Sequence, residues 1–189
     1  MNWYTADTHA YHGNIIKYCD RPFASTDEIN EVMITNINDR VAPDDILFHL
    51  GDWTFGPRSD RSLQIKNATD FRKQINCKNI ILIQGNHDYL VHVPEFRNLF
   101  SKIHVIVETY DSIVKQKIVL CHYAMRVWNA SHHGRWHLYG HSHGHLDPID
   151  TFSFDVGVDC HNFCPINSHD VAQIMQEKYE KGTQNPADV

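Results

Sequence analysis

Long hydrophobic runs are missing from this sequence. No apolar stretch approaches the roughly 18–20 residues that a membrane-spanning helix needs, which argues against a membrane protein. The first residues, Met1-Asn2-Trp3-Tyr4-Thr5-Ala6-Asp7, lack the cationic region and apolar stretch of a signal peptide, so the expected location is cytoplasmic. Basic charge is also scarce: 17 Lys and Arg against 23 Asp and Glu leave a formal net charge of -6. Phosphate-backbone affinity rests on many Lys and Arg contacts, so nucleic acid is an unfavoured partner. The cysteines, Cys19, Cys77, Cys121, Cys160 and Cys164, are odd in number and form no secreted disulfide framework. Cys160 and Cys164 bracket His161, yet a second ligand pair at zinc-finger spacing is lacking. These thiols are expected to be buried or partly buried small side chains. Repeats, low-complexity tracts and linkers are absent too, so residues 1–182 read as one domain and 183–189 as a disordered tail.

What is present suits a packed α/β chain. Hydrophobic residues make up 42% and aromatics 11%, enough for a core. Short apolar runs at Ile46–Leu50, Ile80–Ile83 and Ile118–Leu120 read as buried strands, with further strands at Trp136–Tyr139 and Phe152–Val158. A hairpin is expected from Ile103 to Leu120, turning near Lys115-Gln116. Ser25-Thr26-Asp27-Glu28 has capping-box spacing and opens a helix whose inward face is Ile29, Val32, Met33, Ile37 and Val41, ending at the Pro43-Asp44 turn. A second helix is expected from Asp60 to Ile75, with Leu63, Ala68, Phe71 and Ile75 inward. A third follows Ser168 and carries Val171, Ile174 and Met175.

Histidine stands out, with 15 copies. Five polar clusters containing it or its usual partners fall where expected strands end: Asp7-Thr8-His9, Gly51-Asp52, Gly85-Asn86-His87-Asp88, His122 and Gly140-His141-Ser142-His143. Ligands of open α/β sheets gather at the carboxyl ends of strands, so the simplest reading is that these clusters converge. The glycines permit sharp turns as the backbone leaves each strand. Carboxylate, imidazole and amide donors without a thiolate suit Mn²⁺, Zn²⁺, Fe or Co, and the set is too rich in histidine for Ca²⁺. There are enough donors for two ions, and since a carboxylate bridges two cations where an imidazole cannot, one Asp is expected between them.

Asp-x-His, Gly-Asp, Gly-Asn-His-Asp, a lone His and Gly-His-x-His, in that order, resemble the calcineurin-like metallophosphoesterase superfamily. Each block is weak alone, whereas the ordered set is specific. His12-Gly13-Asn14-Ile15-Ile16-Lys17-Tyr18-Cys19 resembles the continuation of the first block in its compact bacterial and phage branch. The resemblance implies a two-sheet β-sandwich flanked by helices, the four-layer αββα arrangement. It also implies hydrolysis of a small phosphomonoester or phosphodiester, a nucleotide or cyclic nucleotide among them. The nucleophile would be hydroxide between two divalent ions, with manganese first in expectation and Zn, Fe, Ni or Co behind it. Asp7, His9 and His143 would hold one ion, Asn86, His122 and His141 the other, with Asp52 bridging. His87 would act as acid or electrostatic partner and Asp88 would orient it.

Metals about 3.5–4 Å apart hold both nucleophile and phosphoryl oxygens, and metal binding brings the pKa of water from about 15.7 to near 7. His12, Asn86 and Arg126 are the candidate substrate contacts. For His12 the bland alternative is a loop hydrogen bond, and for Arg126 a surface ion pair. His92, His104, His161 and His169 lack a partner pattern and read as solvated or singly bonded. His132, His133 and His137 read the same way, with an overhang of the site by residues 125–134 as the alternative; Trp128 and Trp136 read as packing. His49 and His145 read as structural or as supports for a ligand. Rival functions are a catalytically silent metal-binding interaction module of the same fold, a nuclease of the same superfamily, and a structural zinc protein. Intact ligand positions, low basic charge and an oxygen-rich donor set argue against them in turn.

Overall fold

The computed structural model describes residues 1–147 and 152–183, with side chains to Glu180. It is a mixed α/β structure with two sheets and helices. The first sheet joins β1 (Asn2–Thr5), β2 (Ile46–His49), β3 (Asn79–Ile83), β4 (Lys102–His104) and β9 (Ile166–Asn167) in the order β4-β3-β2-β1-β9. Its first four strands run parallel, and only the short edge strand β9 is antiparallel. The second sheet joins β5 (Ile106–Asp111), β6 (Gln116–Cys121), β7 (Trp136–Tyr139) and β8 (Ser153–Asp155) in chain order. Here β5 and β6 form a hairpin, while β6, β7 and β8 are parallel. Parallel strands share the direction of their carboxyl ends, which is what lets distant loops meet.

Strand alternation divides the core in two. Leu47, Ile80 and Leu82 face one way and pack with Ile29, Met33, Ile37, Ala68 and Phe71 of the helices α2 (Thr26–Arg40) and α3 (Arg61–Lys73). Tyr4, Phe48, Leu50 and Ile83 face the other way and share a cluster with Ile118, Leu120, Leu138 and Phe154 of the second sheet. Val171 and Met175 of α5 (Ser168–Thr183) join that second cluster. Tyr4 and Asp111 tie the two sheets together: the Tyr4 hydroxyl donates to Asp111 Oδ2 at 2.7 Å, and Ser168 donates to the same oxygen at 2.7 Å. The two remaining helices are single turns, α1 (Ile15–Tyr18) and α4 (Pro94–Arg97). No helix among the described residues is long and apolar enough to cross a membrane.

Several local expectations are corrected. Ile103 pairs with Leu82 in β4, so the hairpin begins at Ile106, one sheet later. The strand expected over Phe152–Val158 is confined to Ser153–Asp155, and Val158–Cys160 is a turn of 3₁₀ helix. Ser25 Oγ does accept from the Glu28 N–H at 3.2 Å, but the Glu28 carboxylate accepts from Ala24 rather than closing on Ser25. Leu63 of α3 is exposed, because the helix turns Gln64 and Asn67 inward. Their amides donate to the carbonyls of Gly56, Pro57 and Phe55 and fasten the loop after β2, a need that apolar periodicity does not register. Cys77 and Cys121 are buried and Cys19 and Cys164 partly so, while Cys160 is exposed. Of the expected tail, residues 184–189 lie outside the described residues, and Thr183 ends α5.

Candidate metal centre

Three of the five polar clusters, those at Asp7, Asp52 and His141, leave their strands through left-handed backbone. Asp7, His9, Asp52, His141 and His143 all have positive φ, at 59°, 47°, 58°, 68° and 48°. Left-handed backbone disfavours residues with a Cβ, and such strain collects at functional sites where the surroundings impose it. Gly51 has φ 95°, where its own lack of a side chain is needed. Gly85 and Gly140 serve close approach instead. A Cβ on Gly85 would sit 2.3 Å from Asp52 Oδ1, and one on Gly140 would sit 2.5 Å from Asp7 Oδ2.

The turns bring the expected ligands into two adjoining groups. Asp7, His9 and His143 offer donor atoms within 4.8 Å of one another, as do Asp52, His122 and His141. Asp52 Oδ2 lies between them, 3.4 Å from His9 Nε2 and 3.6 Å from His122 Nε2. Asn86 Oδ1 is 2.9 Å from His122 Nε2, which puts the amide in the second group. Asp7 Oδ1 and both ring nitrogens of His9 are buried with no hydrogen-bond partner among the described residues. Leaving such atoms unpaired is unfavourable by about 1–3 kcal/mol each. A set of orphaned oxygens and imidazole nitrogens pointing at one another fits divalent cations. These His and Asp clusters can therefore hold metal.

Electrostatics agree with that fit. Burial, then the neighbouring Asp52 and Asp155 carboxylates, push Asp7 well above the usual carboxylate range. Burial pushes Asp52 up to about 6. Burial also lowers His9, His122 and His141, with neighbouring imidazoles adding to the effect. Cations reverse the penalty on the carboxylates and use the imidazoles in their neutral form.

An open cavity of about 440 Å³ faces these groups. His9, Asp52, Asn86, His87, His141 and His143 line it, with His12 and His145 beside them. The His87 ring packs edge-on to His9, with 5.2 Å between centroids, and burial holds its pKa down at about 4. His12 is buried, packs on Phe55 at 3.9 Å and accepts from the Ile15 N–H through Nδ1, so it is both a loop bond and a cavity wall.

Two expectations fail here. Asp88 does not reach His87: its carboxylate accepts from the backbone N–H groups of Asp52, Trp53 and Gly85 at 2.9, 3.1 and 2.8 Å. A carboxylate saturated by three amides fastens the loops after β2 and β3 together. The side chain beside His87 is Tyr89, whose hydroxyl is 3.2 Å from Nδ1. Arg126 is exposed and does not line the cavity, because the segment after His122 turns outward to lay Trp128 against His137. His49 is fully buried and bonded through Nε2 to Thr8 Oγ1 at 3.0 Å. His137 accepts from the Met125 N–H and contacts the Val119 carbonyl.

Sequence reasoning missed Arg21, Tyr89, Asp155 and Asp159. Asp155 did carry a signal, since Asp155-Val156-Gly157 ends a strand much as Gly51-Asp52 does; it accepts from Ser142 Oγ at 2.6 Å and steadies the His141–His143 loop. Arg21 and Asp159 are 138 positions apart and carried none.

No family model matches the chain. It is 30% identical over 178 residues to the uncharacterized protein MJ1445 of Methanocaldococcus jannaschii, a match covering 91% of this chain and 89% of that protein. The crystal structure of the protein of unknown function AQ665 from Aquifex aeolicus superposes with a TM-score of 0.67 at 20% identity, covering 92% of this chain and 98% of that one. That likeness is one of fold.

Proposed function

The chain belongs to the family of the Methanocaldococcus jannaschii protein MJ1445, and from that premise and the site geometry we propose that it is a metallophosphoesterase of the calcineurin-like type. On this reading its two sheets form the inner layers of an αββα sandwich, a view supported by the apolar cluster they share. The observation that carries the function is the placement of Asp52 Oδ2 between the Asp7/His9/His143 and His122/Asn86/His141 groups.

Asp7, His9 and His143 would hold one divalent ion and Asn86, His122 and His141 the other, with Asp52 shared. When bound, the pair supplies Lewis acidity toward a phosphoryl oxygen and a water acidic enough to attack at neutral pH. The chain's own residues do the rest. Buried Asp88 holds the loops of Asp52 and Asn86 at fixed separation through three amide bonds. His87, neutral at physiological pH, bonds through Nδ1 to Tyr89, which leaves Nε2 for a hydrogen bond to the leaving oxygen. His12 and Asn86 line the space beside the phosphoryl group. The open cavity of about 440 Å³ suits a small ester, a nucleotide or cyclic nucleotide included.

The test is metal-stripped protein assayed with added manganese against chromogenic phosphomonoesters and diesters and against 2′,3′- and 3′,5′-cyclic nucleotides. Manganese-dependent hydrolysis of any of these is the expected outcome. Inactivity across all substrates and across Mn, Zn, Fe, Ni and Co would replace the reading with a silent binding module.

A further inference from the structure

We propose that Arg21 and Asp159 act together as the positioning unit of the first half of the metal centre, setting His143 and the Asp7–His9 turn for a divalent cation. This rests on the dinuclear reading above. Asp159 accepts from Arg21 Nε and Nη2 at 2.8 Å each, a two-pronged contact, and both side chains are almost wholly buried. The same guanidinium donates from Nη2 to the Asp7 carbonyl at 2.7 Å and from Nη1 to the Thr8 carbonyl at 3.0 Å. It thereby holds the stretch whose ends, Asp7 and His9, carry left-handed backbone. The second oxygen of Asp159 lies 2.7 Å from His143 Nδ1. A carboxylate only accepts, so the ring proton sits on Nδ1 and the Nε2 lone pair is free for a cation. One ion pair thus bonds to the His143 ring directly and holds the backbone at Asp7 and at Thr8, the residue before His9.

The second group is built differently. His122 Nδ1 bonds to the Leu50 carbonyl at 2.7 Å, a neutral partner. A carboxylate behind an imidazole makes it a more basic ligand than a carbonyl does, and loss of such a partner weakens metal binding by about 10- to 100-fold. Asp159 also neutralises Arg21, whose charge by itself would repel a cation bound nearby. The first half therefore depends on Arg21 and Asp159, and the second half does not.

The experiment is a manganese titration of the full metal-stripped chain, with free Mn²⁺ read by electron paramagnetic resonance. Wild-type protein is expected to take up two equivalents. Asp159→Asn is expected to weaken one of them about 10- to 100-fold and leave the other in place. In a His143→Ala background, where the imidazole it supports is gone, the same substitution should have much less effect. Asp159→Asn alone strands a buried Arg21 charge and is at risk of unfolding. The double variant Arg21→Gln/Asp159→Asn removes both charges and should lose the same equivalent. Two unaltered equivalents in these variants, or equal weakening of both, would overturn the proposal while the dinuclear reading stands. Wild-type protein that binds no manganese would overturn both.

Discussion

The two sheets furnish the site unequally. The parallel sheet presents Asp7, Asp52, Asn86 and Asp88 from the ends of β1, β2 and β3, and its three carboxylates are at most 2% exposed. The second sheet presents imidazoles from the ends of β6 and β7, with His122 buried, His143 half-buried and His141 exposed. A carboxylate can be kept this far from water only where amides or cations compensate it. The parallel sheet, packed against helices on one face and the second sheet on the other, can supply that enclosure. Imidazoles are neutral when they bind metal and tolerate the more open wall. The buried wall carries the carboxylates together with His9, and the open wall adds His122, His141 and His143 to the candidate ligand set.

The largest effect that would break this division is at the shared oxygen. Asp52→Asn is expected to abolish uptake of at least one manganese ion and lower kcat on the order of 10³-fold or more, the scale of losing preorganised charge at a transition state. Metal analysis and steady-state assays check it; near-normal activity would show that the buried wall does not carry the charge. Next comes His87→Ala, expected to lower kcat by about 10²-fold with metal content unchanged. That is the lower end of the general-acid range, because burial keeps this imidazole neutral. Loss of metal in that variant would make His87 a ligand, as its closeness to His9 and Asp52 allows.

A smaller effect sharpens how closely the walls meet. Gly140→Ala places a Cβ 2.5 Å from both Ala6 Cβ and Asp7 Oδ2, where one wall touches the other. Overpacking of this kind is destabilising by about 1–3 kcal/mol, and thermal melting would register it. The smallest concerns Asp111, which binds the walls through Tyr4 and Ser168. Burial acts to raise its pKa, but hydrogen bonds from Ser168 and Tyr4 outweigh this and hold it below the usual value. Its contribution is therefore full above the unfolded-state value of about 3.9 and is lost as pH falls through the lower folded value. Asp111→Asn should reduce stability at pH 7 by about 1–2 kcal/mol and by less at low pH, as denaturant midpoints would show. An equal loss at both pH values would place the effect in packing.

Much of the molecule was legible in its residues. Apolar runs located β2, β3, β6 and β7 within a residue or two, because buried strands need continuous side-chain burial. The Ser25 cap located the start of α2. Where two demands competed, periodicity misled: Leu63 is exposed because Gln64 and Asn67 are needed for loop carbonyls. Likewise Asp88, adjacent to His87 in the chain, bonds across the fold to Asp52 and Trp53 instead.

Residue order alone established which chemical groups stand at strand ends and which strands are buried, since both follow from local pattern. Only the folded chain decided which carboxylates join a candidate metal group and which bond to amides or an arginine. Asp52, Asp88 and Asp159 are the same residue type, and they differ in their hydrogen-bond partners: the His87 amide, three loop amides, and the Arg21 guanidinium with His143. Those neighbours come from remote parts of the chain, so hydrogen bonding across the fold, which no local pattern encodes, sets their roles.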